Sequence, residues 1–170
     1  MRLLQRWVDT PCLYHARRWL MASYARAALF ILIVVGIGFV IGSTNLPGGW
    51  YAGLTKPPFN PPNWVFAPVW SVIYLLIALA GARTWERTPR GAGMLLWTVQ
   101  MLLNFTWSPV FFTWHHTGVA LAVIVAMLLS IIGFIVERWQ TDRVAAALFV
   151  PYLAWVAFAT LLNASIFWLN

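Results

Sequence analysis

Apolar residues fill four long blocks of the chain that contain no charged side chain. The blocks cover residues 27–55, 57–82, 91–136 and 144–170. A spanning helix needs about 20 mostly apolar residues, and the third block is long enough for two, separated by the polar segment 115–118. The pattern predicts spanning helices at residues 28–44, 64–82, 91–113, 118–136 and 144–169.

These segments are apolar on both faces, whereas the strands of a membrane barrel alternate apolar and polar residues. The whole chain is 62% hydrophobic and 9% charged, while soluble domains carry about 25% charged residues. We therefore expect an all-α integral membrane protein, a bundle of five transmembrane helices that forms one domain over residues 27–170.

The charges lie almost entirely on one side of these segments. The net charge is +7, and the arginines precede the first segment or lie between the second and third or the fourth and fifth. Lys56 alone lies on the other side. The positive-inside rule then predicts a cytoplasmic amino terminus, but it does not decide which membrane holds the protein. We expect the inner membrane of a bacterial cell, and an outer membrane stays open. Because topology explains the charge, we expect no nucleic-acid partner; the lipid bilayer is the expected one.

Residues 1–26 form a basic extension ahead of the first segment. Leu3, Leu4, Trp7 and Val8 would give a short interfacial helix its apolar face. A disordered tail is about equally compatible with the same residues.

The longest connection, residues 45–63, holds five of the ten prolines, and proline stiffens the backbone. Its aromatic residues and prolines, among them Trp50, Phe59 and Pro61, predict a lid over the outer mouth of the bundle. The alternative is an interfacial loop whose aromatics lie among the lipid headgroups. We call residues 45–63 the lid.

No Lys, Arg, Asp or Glu lies inside a predicted span, which argues against ion-coupled carriers and proton pumps. No catalytic constellation is recognisable, and Cys12 is the single cysteine. His115 and His116 could ligate a metal, but adjacent helical residues point about 100° apart, so we favour a polar turn and expect no metal site.

Twelve tryptophans are the main chemical clue. Several lie within spans, on stripes of three- and four-residue steps that also carry amides, and amides facing lipid would lack partners. The stripes should therefore face one another: Ala67, Trp70 and Tyr74; Trp97, Gln100, Asn104, Trp107 and Phe111; Tyr152, Trp155, Ala159 and Asn163. The amides alone are explained by contacts between helices, but the deep indoles and the lid favour an aromatic ligand pocket.

The sequence resembles the TspO/MBR family, the tryptophan-rich sensory proteins and translocator proteins once called peripheral benzodiazepine receptors. The resemblance rests on Trp-Tyr-Ala-Gly-Leu at 50–54, Lys-Pro-Pro-Phe-Asn-Pro-Pro-Asn-Trp at 56–64, Ala-Pro-Val-Trp at 67–70, Trp-Ser-Pro-Val-Phe-Phe at 107–112 and the run 151–163. It implies a five-helix membrane fold, often dimeric, that requires no cofactor and binds porphyrins such as protoporphyrin IX or haem.

The family's pocket positions fall here on residues that largely repeat the stripes: Asn60, Ala67, Trp70, Asn104, Trp107, Trp155, Ala159 and Leu162. The implied function is a receptor or carrier in tetrapyrrole regulation or transport. In some bacterial members the tryptophans matching Trp70 and Trp155 are tied to light-dependent porphyrin breakdown, which is one alternative; a sensory or structural partner without transport is another.

Some residues depart from the family pattern. Phe59 replaces a usual Trp, and Val119 replaces an aromatic that contacts drugs in animal members. The cholesterol motif is absent from the end of the fifth span, so we expect no specific sterol recognition. Gly38 and Gly42 have the small-xxx-small spacing of helix dimers, although packing within one bundle explains them equally well.

Overall fold

The computed structural model of the protein describes the backbone of residues 11–170 and side chains from Leu20 onward. The interfacial helix predicted around Trp7 lies outside the described residues. Within them the regular structure is helical throughout. The helices are α1 (Pro11–Thr44), α2 (Gly49–Gly53), α3 (Phe66–Arg87), α4 (Ala92–Ser108), α5 (Thr117–Trp139) and α6 (Arg143–Leu169), with a 3-10 turn at Asn63–Val65 and a π-helical turn at Pro109–Thr113.

In the described part of the chain, four segments are long and apolar enough to cross a membrane. They are Leu20–Thr44, Asn63–Arg87, Thr117–Thr141 and Arg143–Leu169, and they overlap four of the predicted spans. The remaining predicted span, residues 91–113, is divided in two, because α4 has 17 residues and the π-helical turn takes the rest. The division falls at Pro109, which lacks the N–H needed to continue the α-helical ladder.

The long helices pack around a common core. Helix α5 packs against α4 and α6, and α3 packs against α1 and α6. Two glycines permit close approaches: a Cβ on Gly38 would overlap the ring of Tyr74, and a Cβ on Gly81 would lie 2.5 Å from the indole of Trp97. Gly38 is therefore used for packing within the bundle.

Charged side chains tie the helices together at the end of the bundle opposite the lid. The Asp142 carboxylate accepts a hydrogen bond from Arg83 at 3.0 Å and pairs with Arg87 at 3.1 Å. It also caps α6 by accepting from the Ala145 N–H at 3.3 Å. These contacts hold α3 against the start of α6 at this end of the bundle. The helices can therefore diverge only towards the opposite end, which the lid covers.

Candidate ligand-binding cavity

A cavity of about 740 Å³ lies in the half of the bundle beneath the lid. Its walls come from α1, α3, α4 with the π-helical turn, α5 and α6, and its roof includes Tyr51 of the lid. The lining is largely aromatic and aliphatic, with hydroxyl and amide groups at a few points. No charged side chain is among the described residues that line it. Such a space suits a flat, apolar molecule.

Six of the eight residues predicted for a pocket line this cavity: Ala67, Trp70, Trp107, Trp155, Ala159 and Leu162. They come from α3, α4 and α6, whose stripes converge as the spacing predicts. Asn60 and Asn104 do not line it, but each holds a residue that does.

Asn60 supports the roof. Its side-chain oxygen accepts a hydrogen bond from the Tyr51 hydroxyl at 3.0 Å, and its amide donates to the carbonyl of Pro61 at 3.1 Å. Burial raises the pKa of the Tyr51 phenol, and the bond to Asn60 only partly opposes that effect. Tyr51 therefore remains a neutral hydrogen-bond donor at physiological pH.

Asn104 belongs to a polar network under the cavity. It accepts from the Tyr74 hydroxyl at 3.0 Å and donates to the Tyr152 hydroxyl at 2.9 Å. Tyr152 in turn donates to the side-chain oxygen of Gln100 at 3.0 Å, and Gln100 donates to the carbonyl of Trp97 at 2.8 Å. The chain of bonds joins α3, α4 and α6, so the amides serve contacts between helices, as their positions alone suggest.

Four tryptophans line the cavity, and the three that were predicted for the pocket differ in their hydrogen bonding. The Trp107 indole N–H donates to the side-chain oxygen of Asn163 at 3.1 Å, and the Trp107 ring stacks on Phe111 with centroids 5.2 Å apart. Trp70 packs against Tyr74 at 5.3 Å. The Nε1 of Trp155 is buried without a hydrogen-bond partner. An unpaired buried donor costs about 1 to 3 kcal/mol. The contacts of the Trp155 ring with its aromatic neighbours must therefore offset this cost and hold the ring in place.

The lid is fastened to the bundle at several points. Trp50 stacks on His115 with ring centroids 4.0 Å apart. The backbone of Thr55 exchanges two hydrogen bonds with the side chain of Asn170, at 2.9 and 3.1 Å. Phe59 is 45% exposed and lies 6.4 Å from the ring of Phe158. The predicted lid segment thus covers one end of the cavity.

His115 has a positive φ of 59° in the turn that follows the π helix. Its ring is occupied by the stack on Trp50. Within residues covered by the structure, no group of three or more His, Cys, Asp or Glu side chains is placed to hold a metal ion.

Sequence reasoning missed the wall that α1 contributes. Gly38, Phe39 and Gly42 line the cavity, although residues 28–42 of α1 are apolar on every side and show no periodic signal for an inward face. The glycine spacing marked this stretch, but it indicated a helix dimer or packing within one bundle, and neither interpretation predicts a cavity wall.

A sequence profile of the TspO/MBR family matches residues 6–169. The chain belongs to the TspO/MBR family. It is 37% identical over 138 residues to the tryptophan-rich sensory protein of Cereibacter sphaeroides, covering 80% of this chain and 87% of that protein. It is 37% identical to protein CrtK of Rhodobacter capsulatus, over 76% of this chain and 83% of that protein. It is 35% identical to the human translocator protein, over 80% of this chain and 85% of the human one.

Family membership and the apolar helices together make this chain a multi-pass integral membrane protein in a lipid bilayer. The resemblance read from the tryptophan and proline motifs is confirmed. The roles of the individual cavity residues stay predictions.

Proposed function

We propose that this TspO/MBR protein is a membrane receptor or carrier for tetrapyrroles such as protoporphyrin IX or haem, which bind in the cavity beneath the lid. The observation that carries the proposal is a cavity of about 740 Å³ walled by four tryptophans and free of charged side chains among its described lining residues. Pockets for organic ligands typically measure about 300 to 1,000 Å³.

The lining chemistry decides how such a ligand would be oriented. A macrocycle face can stack on Trp70, Trp107 and Trp155, and each aromatic pair adds about 0.5 to 1.5 kcal/mol beyond area burial. Among the side chains that the structure describes, none lining the cavity is a cation that could pair with a carboxylate. The propionates must therefore stay at the cavity mouth, in contact with water or headgroups. Two or three stacked rings plus burial are enough for micromolar binding, about −8 kcal/mol.

The same proposal includes a membrane arrangement. Helix α4 and the π-helical turn that follows it together make one further span, the third in chain order, because they extend over the uncharged stretch from Ala92 to Thr113. The arginine-rich end then faces the cytoplasm and the lid faces outward, as expected for a bacterial inner membrane. We extend the proposal to a homodimer through α4, where Leu95 and Leu102 are 65% and 62% exposed. A monomeric mass in detergent and in nanodiscs would refute the dimer.

The test is a titration of protoporphyrin IX into the protein in lipid nanodiscs, followed by tryptophan fluorescence. We expect saturable quenching in the micromolar range. Changing Trp70 and Trp155 together to Phe should weaken binding about tenfold, because two indoles are replaced by smaller rings and two N–H donors are lost. The matched control changes Trp139 and Trp168 to Phe, since both are exposed and neither lines the cavity.

Equal affinity in the two double variants would place the ligand elsewhere and refute the proposal. The samples of protein with protoporphyrin IX are also illuminated, and the porphyrin is then examined for reaction products. A product that forms only with the protein present would favour porphyrin breakdown over transport.

A further inference from the structure

The cavity is closed on most sides by direct contacts. The roof is held by the bonds of Tyr51 and Thr55 to Asn60 and Asn170. The floor is the network of Tyr152 with Asn104 and Gln100. These contacts block entry along the bundle axis from either end.

The gap between α3 and α6 is closed by aromatic rings. Phe66 of α3 meets Trp155 of α6 edge to face at 5.8 Å, and Trp155 packs on Phe158 at 5.7 Å. On the opposite side, Trp107 is bonded to Asn163, whose amide donates to the carbonyl of Thr117 at 2.9 Å. The side between α4, α5 and α6 is therefore sealed as well.

The side between α1 and α4 is also joined, because the Thr113 hydroxyl of the π-helical turn donates to the side-chain oxygen of Asn45 and Phe30 of α1 meets Trp97 of α4 edge to face at 5.3 Å.

The remaining side, between α1 and α3, is different. The two helices meet at Gly38, beneath the ring of Tyr74. Above that contact, the cavity is lined by Phe39, Gly42 and Ser43 of α1 and by Trp64, Ala67 and Ser71 on the α3 side. Among the described side chains, no hydrogen bond or ring contact joins these two sets. A Cβ added to Gly42 would meet no atom within 4 Å.

The residues along this gap are exposed, and their polar groups are already satisfied. Phe39 and Trp64 are 74% and 75% exposed. The hydroxyl of Ser43 donates to the carbonyl of Val40 at 2.9 Å, and that of Ser71 donates to Ala67 at 2.8 Å, each within its own helix. A flat molecule sliding between α1 and α3 would break no bond between elements, whereas entry past the lid would break several.

We propose that the gap between α1 and α3 is a lateral portal, through which the ligand enters the cavity from the lipid leaflet on the lid side. This inference rests on the proposed function and specifies the ligand class: an amphiphile already dissolved in the membrane, with a flat apolar body and its charged groups at the headgroups. The exposed rings of Phe39 and Trp64 flank the entrance on either side.

The first experiment narrows the portal. Gly42→Phe adds a ring in the gap, and Gly36→Phe is the matched control, because a Cβ at Gly36 also meets no atom within 4 Å but Gly36 does not line the cavity. Stopped-flow tryptophan quenching in nanodiscs, with protoporphyrin IX as the probe, gives association and dissociation rates. The portal predicts that Gly42→Phe slows both rates about tenfold or more, while Gly36→Phe behaves as the native protein. Unchanged rates in Gly42→Phe would overturn it.

The second experiment locks the lid instead. In a Cys12→Ser background, Thr55→Cys and Asn170→Cys place two thiols where the native residues share hydrogen bonds, and oxidation closes a disulfide. The portal predicts equal association rates before and after oxidation. Association that slows on oxidation and recovers on reduction would show entry past the lid and overturn the portal.

The two proposals fail in different ways. If the native protein shows no saturable quenching, the proposed function fails. If the native protein binds saturably but locking the lid slows association, the portal fails and the proposed function stands. The same conclusion follows if Gly42→Phe leaves the association and dissociation rates unchanged.

Discussion

Removing the Tyr152 hydroxyl tests whether the network under the cavity stabilises the bundle. Tyr152→Phe keeps the ring, and with it the contacts to Phe149 at 5.6 Å and Trp70 at 6.3 Å. It removes the bond donated to Gln100 and the bond accepted from Asn104. Both amides are buried, so each is left with an unsatisfied group.

The magnitude follows from the two lost bonds. Hydrogen bonds between helices in membrane proteins contribute about 0.6 kcal/mol on average and up to about 1.7. Two such bonds predict a loss of about 1 to 3 kcal/mol in the free energy of unfolding. The control is Tyr51→Phe, which removes one bond from a half-buried partner and should cost about 0.5 to 1.5 kcal/mol.

The assay is equilibrium unfolding in mixed micelles with increasing SDS, followed by tryptophan fluorescence and circular dichroism. Adding Gln100→Leu to Tyr152→Phe should recover part of the loss, because an apolar side chain leaves no oxygen unpaired there. The reasoning is refuted if Tyr152→Phe has the same free energy of unfolding as the native protein. It is also refuted if the double variant loses more unfolding free energy than the two single variants lose together.

Two further changes probe other contacts. Gly81→Ala should lower the unfolding free energy by about 1 to 3 kcal/mol, because its Cβ would displace the indole of Trp97 from the carbonyl of Ile77. The control is Gly36→Ala, which has open space around its Cβ and should be neutral or stabilising by up to about 1 kcal/mol. Equal effects of the two changes in the same micelle assay would contradict this prediction. Burial raises the Asp142 carboxyl pKa, but the Arg83 bond, the helix cap and the arginine charges outweigh it and hold the pKa below its ordinary value. This stabilisation is complete above the ordinary Asp pKa of about 3.9 and is lost as pH falls through the lowered native value. Asp142→Asn should flatten the stability profile measured from pH 2 to 6, and an unchanged slope would contradict the assignment.

The positions of the spans could be predicted because lipid acts on each segment separately. Helix α5 begins at Thr117 and ends at Trp139, close to the predicted 118–136. Helix α3 extends past the predicted end to Arg87, since its last turn carries charged side chains that reach Asp142 and that hydropathy alone excludes.

The aromatic stripes also predicted which helix faces meet. Trp70, Trp107 and Trp155 share one cavity, because polar groups on a spanning helix must turn away from lipid and their spacing gives the angle.

The sequence by itself determined the membrane class, the approximate spans, the family and three indoles of the cavity, because each depends on local hydropathy, on helical period or on ordered motifs. Tertiary structure alone decided that Asn104 supports the floor instead of lining the cavity, that Gly38 packs beneath Tyr74, and that α1 and α3 leave a gap above that contact. The physical reason is that a lipid-facing residue and a cavity-facing residue are both apolar. Which one a side chain becomes depends on where the neighbouring helix lies, and residue order does not encode that locally.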